Sequence, residues 1–382
     1  MNNLDEWGTL SLSLFVISLM NRRHFLRLSS LLLGASTAPS AVARPYALRY
    51  LCWDGYDLPS LIGGFEQQQQ CDVLSESIND SPAAFAKLSM GRHQGYDVVS
   101  IDSPWLERLD QGRLLSPIPI ALRDKVYGQC YPQFREHFLP QQENGRNWLP
   151  TRWGWLGPTI NTDYVKEEDY SSYAPCFIRK NRGKVGVMDW GDWPILPISL
   201  YIGINPYLPL GSYELAHLRQ AFRALFKNQP VFIPDISIGQ KGLVDGSLAT
   251  LIGTGTYLTS GLRRAGFHQI KTVIPEPRNG MKQGVIWTEG SAAIRGQELE
   301  SLAMKLVAFT TSTHASYMLS YMGATCNLTP NIEVEKLYTQ AQRESLQIED
   351  VDYVWENSHI HRTVPSIAEI LQVWQSELFS LS

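Results

Sequence analysis

The sequence carries little charge and has no excess of basic residues. Lys and Arg number 33 against 37 Asp and Glu, so the formal net charge of the 382 residues is −4. Because a nucleic-acid-binding surface needs a basic face to neutralise phosphates, this balance argues against a nucleic-acid partner. Only 18% of the residues are charged and 44% are hydrophobic, which excludes a disordered chain. The length exceeds that of one compact core and predicts two lobes.

Familiar signatures of metal binding and catalysis are also missing. The five cysteines are odd in number and show no C-x-x-C or C-x-x-H spacing, so we expect buried thiols rather than a zinc site or redox motif. There is no H-E-x-x-H, no G-x-S-x-G and no phosphate loop, and Gly253–Tyr257 is better explained by a tight turn after a strand. His359-Ile360-His361 could present two imidazoles to a metal, but without a third ligand nearby we favour a solvated pair. The sequence therefore predicts no cofactor and no catalytic residues.

No apolar run is long enough to span a bilayer, but the N-terminus has the pattern of an export signal. Arg22 and Arg23 precede a modest apolar stretch that ends in Ala41-Val42-Ala43, a small-x-small cleavage site. This combination is typical of twin-arginine export. We therefore predict a signal over residues 1–43, with Met20 as an alternative start, and a periplasmic protein that is soluble after cleavage. The alternative is a basic, apolar N-terminal helix that is retained.

Beyond the signal, strand and helix patterns alternate along the chain. Apolar runs at 48–53, 71–76 and 97–101 predict strands, and a helical segment at 81–90 has Ser81 as its expected N-cap. Alternation of this kind predicts an α/β layer whose ligand crevice lies at the carboxyl ends of the strands.

Three later segments differ in residue composition and pattern. Residues 147–155 are rich in Trp, Pro and Gly and predict a crossing between lobes rather than a helix. Residues 184–190 predict a strand. Residues 212–227 carry apolar side chains on one stripe, an acid in the first turn and Lys in the last, which predicts an amphipathic helix.

Aromatic residues stand beside carboxylates at the predicted strand ends, in a chain with 11 Trp and 17 Tyr. Ring faces attract an organic cation, and carboxylates form charge-assisted hydrogen bonds with it. The alternative is that the rings belong to the core and the acids beside them are solvated. The candidate ligand-binding residues from these segments are Trp53, Asp54, Tyr56, Asp102, Ser103, Trp190, Asp192, Trp193, Trp287 and Glu289.

Four stretches of the chain carry a resemblance to a known family. They are LRYLCWDGYDLPSLIGGFEQQ, FAKLSMGRHQGYDVVSIDSPWLERLDQGRLLSPI, NWLPTRWGWLGPTINTDYV, and the series VIWTEG, AMKLVAF and GATCNLTPN. With these motifs the chain resembles the extracytoplasmic solute-binding proteins of ABC importers, in particular the spermidine/putrescine-binding branch. The resemblance implies a two-lobed α/β fold of the type II periplasmic-binding-protein kind, with a ligand cleft between the lobes.

The family's ligand residues carry over only in part. Its W-x-x-Y after the first strand matches Trp53 and Tyr56, and its W-x-D at the return crossing matches Trp287-Thr288-Glu289, with a longer acid. The family's acidic pair, which holds ammonium groups, falls on Trp190 and Trp193. The ring-plus-acid theme is therefore retained, whereas polyamine specificity is not implied.

Two further positions depart from the family pattern. Its Ser-x-Tyr after the third strand falls on Ile101 and Ser103, and a second-lobe tryptophan falls on Ile252. Asp189, Asp192 or Asp102 could supply the charge that the missing acids would provide; the sequence leaves open which of them points inward.

We therefore expect the monomeric solute-binding component of an ABC importer, not an enzyme, that delivers a polyamine-like or related small organic solute to a membrane permease. The expected first lobe comprises residues 44–153 with about 290–333, and the second comprises 154–287 with 334–382. The alternative is a secreted enzyme or sensor domain that uses the same fold with a different ligand, since fold does not fix function.

Overall fold

The computed structural model describes residues 44–78, 80–138, 146–323 and 325–380. The predicted export signal lies outside these residues. Within them, no helix is both long and apolar enough to cross a membrane.

Strands and helices alternate through most of the described chain. The strands are β1 (Tyr46–Cys52), β2 (Cys71–Ser77), β3 (Val98–Asp102), β4 (Leu149–Leu156), β5 (Thr159–Asn161), β6 (Val185–Met188), β7 (Val231–Ile233), β8 (Thr250–Ile252), β9 (Ile270–Thr272), β10 (Gly284–Ala293) and β11 (Ser358–Ile360). The helices are α1 (Pro59–Gln69), α2 (Ser81–Ser89), α3 (Ser103–Gln111), α4 (Ile120–Gly128), α5 (Pro132–Phe138), α6 (Ile195–Tyr201), α7 (Ser212–Lys227), α8 (Ile236–Val244), α9 (Thr256–Arg264), α10 (Glu300–Thr310), α11 (Thr313–Tyr321), α12 (Gln340–Ser345), α13 (Val351–Asn357) and α14 (Ile367–Phe379). Short 3-10 turns occur at Arg92–Gly95, Glu167–Tyr170, Ala174–Phe177, Arg179–Asn181, Ile332–Leu337 and Ile348–Asp350.

The first sheet contains the first three strands of the alternating pattern. Its described strands run in the order β11-β10-β3-β1-β2, and β4 pairs with β10. Strand β1 is parallel to β2 and to β3, whereas β10 runs antiparallel to both β3 and β4. Helices α1, α2 and α3 connect or follow the parallel strands, as expected for a buried α/β layer.

The second sheet comes from the middle of the chain. Its described strands run in the order β7-β6-β8-β5-β9. Strand β6 is parallel to its neighbours β7 and β8, while β5 is antiparallel to β8 and β9. The chain passes from the first sheet to the second between β4 and β5, and returns between β9 and β10. The lobe boundaries expected from the sequence stay a prediction.

Most of the predicted elements are confirmed. The amphipathic helix at 212–227 coincides with α7, and its Leu218, Phe222 and Leu225 are buried. Trp374 of α14 packs edge-on against Phe222, with ring centroids 4.9 Å apart. Residues 147–155 are not helical, as predicted, and most of them form the fully buried strand β4.

Two expectations are wrong. Helix α2 is capped by Asp80 rather than by Ser81, because the Asp80 carboxylate accepts a hydrogen bond from the backbone N–H of Ala83 at 2.6 Å. The His359–His361 pair is not solvated: His361 is buried, and an acid from a distant loop contacts it, as described below. All five cysteines are buried, as expected.

Candidate functional site

The register of the first sheet brings three ionisable residues into one row. Glu289 of β10 lies opposite Asp102 of β3 on one side and opposite Arg152 of β4 on the other. Residues that lie directly opposite each other on neighbouring strands point to the same face of a sheet. Two acids and one base therefore share a face near the carboxyl end of β3. We call these residues the polar row.

Arg152 and Glu289 form a buried ion pair within this row. Arg152 Nε donates to Glu289 Oε2 at 2.8 Å, and Nη2 donates to Oε1 at 3.2 Å. The side chains are only 3% and 8% exposed. The Tyr56 hydroxyl donates to Glu289 Oε2 at 2.8 Å, and the Arg152 guanidinium lies 4.5 Å from the centroid of the Tyr56 ring. The Glu289 carboxylate is therefore already neutralised by a cation of the same chain.

The pKa values of this group reflect burial and pairing. Burial alone would lower the pKa of Arg152, but Glu289 and Tyr56 together reverse this effect and raise it above its ordinary value. Burial, with the charge of Glu289, raises the pKa of Tyr56 well above its usual range. Tyr56 thus stays a neutral hydrogen-bond donor, and Arg152 remains a cation.

Asp102, the third member of the polar row, has no cationic partner at hydrogen-bond distance among the described residues. It accepts a hydrogen bond from the Ser81 hydroxyl at 2.8 Å. Burial, followed by the charge of Glu289, raises the pKa of Asp102 to about 7. This carboxyl group is therefore divided between its neutral and charged forms near neutral pH.

Four aromatic side chains meet beside the polar row, and we call them the ring cluster. Trp190 stacks on Tyr257 with centroids 5.6 Å apart and an interplanar angle of 18°. Trp193 lies 5.4 Å from Tyr257 and 6.3 Å from Trp287. Trp190 and Trp193 are half-buried, whereas Tyr257 and Trp287 are buried. Trp190 and Trp193 therefore keep part of their surface open to solvent.

Two glycines allow these rings to approach each other. Gly154 lies opposite Trp287 in the β4–β10 ladder, and a Cβ at Gly154 would lie 2.7 Å from the Trp287 ring and 2.1 Å from Thr256 Oγ1. Gly253 follows β8 with φ +71°, and a Cβ there would lie 2.8 Å from the Pro194 backbone. Because the turn packs directly on Pro194, Tyr257 is brought against Trp193.

His361 and Asp192 connect the two sheets beside the ring cluster. His361 Nε2 is 3.2 Å from Asp192 Oδ2, and the imidazole centroid is 6.2 Å from that of Trp193. The His361 side chain is 3% exposed and that of Asp192 is 25% exposed. Burial lowers the pKa of His361, but the hydrogen bond and charge of Asp192, together with the charges of Asp102 and Glu107, outweigh this effect and raise it overall.

The other residues predicted for the ligand site make fewer contacts with the polar row and the ring cluster. Trp53 is half-buried, and the backbone carbonyl of exposed Asp54 accepts from Arg152 Nη1 at 3.3 Å. Ser103 is buried as the first residue of α3. Asp189 is exposed, so of the acids considered as substitutes, Asp192 and Asp102 are the two that approach the other predicted residues.

Sequence reasoning missed Arg152, Tyr257 and His361 as members of this group. Arg152 is a single charge within a Trp- and Pro-rich segment, and only the β4–β10 register pairs it with Glu289. Tyr257 belongs to the glycine-rich turn and α9. His361 was visible in the His359–His361 pattern, but its partner is 169 residues away. Among the described residues, no three His, Cys, Asp or Glu side chains form a group that could hold a metal ion.

Comparison of the sequence with family models and with curated proteins gives no match. The fold, by contrast, matches solved structures of ABC-transporter solute-binding proteins of the type II periplasmic kind. The predicted two-lobed α/β class and the resemblance to this group are therefore confirmed at the level of the fold.

Three of these structures show the range of the likeness. A protein assigned to spermidine/putrescine ABC transport in Listeria monocytogenes has a TM-score of 0.70 and 15% identity, over 87% of this chain and 98% of that one. The spermidine/putrescine substrate-binding protein of Streptococcus pneumoniae, in complex with calcium and HEPES, has a TM-score of 0.67 and 13% identity, over 87% and 99%. A binding protein of A. tumefaciens in complex with glucopine has a TM-score of 0.66 and 12% identity, over the same shares.

Proposed function

We propose that this chain is the solute-binding component of an ABC importer. It captures a small organic solute outside the cytoplasmic membrane, in a cleft between two lobes near the polar row and the ring cluster, and delivers it to a permease. The solute has an apolar or unsaturated part and at most one cationic group. The observation that carries this proposal is the fold shared with solute-binding proteins, together with rings and acids from both sheets at one place.

The limit on ligand charge follows from the ion pairs already present. Arg152 neutralises Glu289, and His361 holds Asp192. Asp102 is only partly ionised near neutral pH, since its pKa is about 7. A desolvated ammonium group without an acid costs several kcal/mol, so a second or third cationic group of a ligand would find no partner here.

The rings suit the other part of the ligand. Trp190 and Trp193 take the positions where the resembled family has its acidic pair, and their open surface offers ring faces to an apolar chain or to one ammonium group. A cation over such a face gains roughly 0.5–2 kcal/mol. Relatives of the same fold also bind varied solutes, since the A. tumefaciens protein is in complex with glucopine.

Ligand delivery would use closure of the lobes. The chain crosses between the sheets on either side of the paired strands β4 and β10. A ligand that contacts both lobes stabilises the closed form by its differential affinity, and the closed form is presented to the permease.

A titration series tests the proposal. Spermidine, putrescine and a monocationic analogue are titrated into the purified protein by calorimetry, after a thermal-shift screen against polyamines, amino acids and sugars. A ligand at 100 times its Kd adds about 2.7 kcal/mol to the free energy of unfolding. We expect weak or absent spermidine binding and stronger binding of a solute with at most one charged end. Submicromolar spermidine binding that disappears in Asp192→Asn would contradict this ligand class.

A further inference from the structure

We propose that His361 determines which ligand charge the site accepts, because its imidazolium holds Asp192 and takes the place of a ligand's ammonium group. This inference deepens the proposed function and rests on it. His361 was not among the residues that the sequence indicated for the ligand site.

The geometry fixes His361 between the two sheets. Its backbone N–H donates to the Ile286 carbonyl of β10 at 2.7 Å, which anchors it to the first sheet. Its Nε2 lies 3.2 Å from Asp192 Oδ2, and Asp192 belongs to the turn that precedes α6 of the other half. The Trp193 ring stands at 79° to the imidazole, with ring centroids 6.2 Å apart, so the ring cluster borders this pair.

The charges around His361 are mostly acidic. Asp192 comes from the loop after β6, Asp102 from the end of β3 and Glu107 from α3, and all three favour the protonated imidazole against the effect of burial. The neighbouring cation, Arg362, is turned over the Tyr207 ring, 5.4 Å from its centroid. His361 therefore has the surroundings of a cation-binding site with the cation supplied by the chain itself.

The protonation state of His361 decides what Asp192 offers to a ligand. When the imidazole is charged, Asp192 is satisfied, and an ammonium group that approaches it meets a like charge nearby. His361 Nδ1 is buried and has no hydrogen-bond partner among the described residues. When the imidazole is neutral, Asp192 is free to pair with a ligand cation.

Replacement of His361 by a neutral residue should therefore open the site to diamines. We expect His361→Gln to lower the Kd for putrescine at pH 6 by about tenfold or more, as a freed acid gains a charge-assisted partner. The gain should disappear in the double variant His361→Gln/Asp192→Asn.

His359→Gln is the matched control. His359 lies in β11, two residues before His361, but burial, followed by the charges of Lys282 and Arg362, lowers its pKa and so disfavours its charged form. Its replacement should leave the putrescine Kd unchanged. Unchanged putrescine affinity in His361→Gln, or a gain that persists in the double variant, would overturn the role of His361.

A ligand-free measurement separates this inference from the proposed function. Imidazole titration followed by NMR in the parent should give His361 a pKa above its ordinary value, and Asp192→Asn should lower it. A His361 pKa at or below the ordinary value would overturn the internal cation. If no solute in the screen binds the parent while the raised pKa is present, the binding function fails and the ion pair stands.

Discussion

Two charge pairs at the candidate site are built in different ways. Arg152 and Glu289 lie opposite each other on paired strands, so backbone hydrogen bonds fix their separation. Asp192 and His361 come from a turn and a strand end in different halves of the described chain, and only side chains and packed rings connect them. The first pair is part of a sheet, whereas the second depends on the protonation of His361, since a neutral imidazole carries no charge. The candidate site thus contains one charge pair fixed by strand register and one that depends on protonation.

The largest expected effect tests the pair fixed by strand register. Arg152→Met leaves the Glu289 carboxylate buried without a counter-ion, and removal of one partner of a buried pair costs about 3–5 kcal/mol. We expect urea unfolding to show a loss of that size. Lys336→Met is the control, because its partner Glu333 lies in an exposed pair, and such pairs contribute less than about 1 kcal/mol.

A double variant sharpens this test. Arg152→Met/Glu289→Leu removes both charges, and apolar replacement of a whole buried pair is often neutral or stabilising. We expect most of the lost stability to return. If the double variant is as unstable as Arg152→Met, the cost comes from lost packing of the long Arg152 side chain and not from the unpaired acid.

The next largest effect concerns Asp102, which lies opposite Glu289 in the first sheet. Its pKa is about 7 in the folded protein and ~3.9 in an unfolded chain. The folded state therefore holds a proton that the unfolded state releases, so this contribution to stability is complete below pH ~3.9 and is lost as the pH rises to about 7.

Asp102→Asn removes this pH dependence while keeping an oxygen acceptor for Ser81. The variant should gain stability relative to the parent as the pH rises from about 4 to 7, by about 1.4 kcal/mol per unit of pKa difference, and the gain should level off above pH 7. Urea unfolding at pH 4.5, 5.5, 6.5 and 8, a series about the pKa, measures it. A stability difference that does not vary with pH would show that Asp102 is ionised throughout.

The smallest expected effect concerns the close packing of β4 against the Trp287 ring. A Cβ in Gly154→Ala would lie 2.7 Å from the Trp287 ring, and overpacking of this kind costs about 1–3 kcal/mol. Gly63→Ala in α1 is the control, since no atom lies within 4 Å of its added Cβ, and it should be neutral or slightly stabilising. Thermal unfolding of both variants compares them. Equal melting temperatures would mean that β4 and Trp287 separate without cost.

Local patterns were sufficient for the elements that bear the site. The stripe of α7 and the apolar runs of β1, β2 and β3 follow from side-chain periodicity, which one segment contains in full. The N-cap of α2 was misplaced by one residue, because both Asp80 and Ser81 are good caps and only the backbone conformation distinguishes them.

Local patterns could not identify contacts between residues that lie far apart in the sequence. The sequence placed Glu289 beside Trp287 as a candidate ligand acid, yet could not reveal that Arg152, 137 residues away, neutralises it. The same holds for His361, which was expected in solvent and lies buried against Asp192. In both cases the local pattern shows the residue type, and the strand register or the packing of the two halves supplies the partner.

The sequence by itself determined the α/β class, the resemblance to solute-binding proteins and the candidate rings and acids, because periodicity and motifs are local properties of the chain. Only the tertiary structure decided which of those acids remain free to pair with a cationic group of a ligand. Charge depends on the surroundings of each carboxylate: Glu289 has a guanidinium at 2.8 Å, Asp192 has an imidazole at 3.2 Å, and Asp102 is buried with neither at hydrogen-bond distance among the described residues. Burial and distance are set by the fold, since they arise between residues that the sequence keeps far apart.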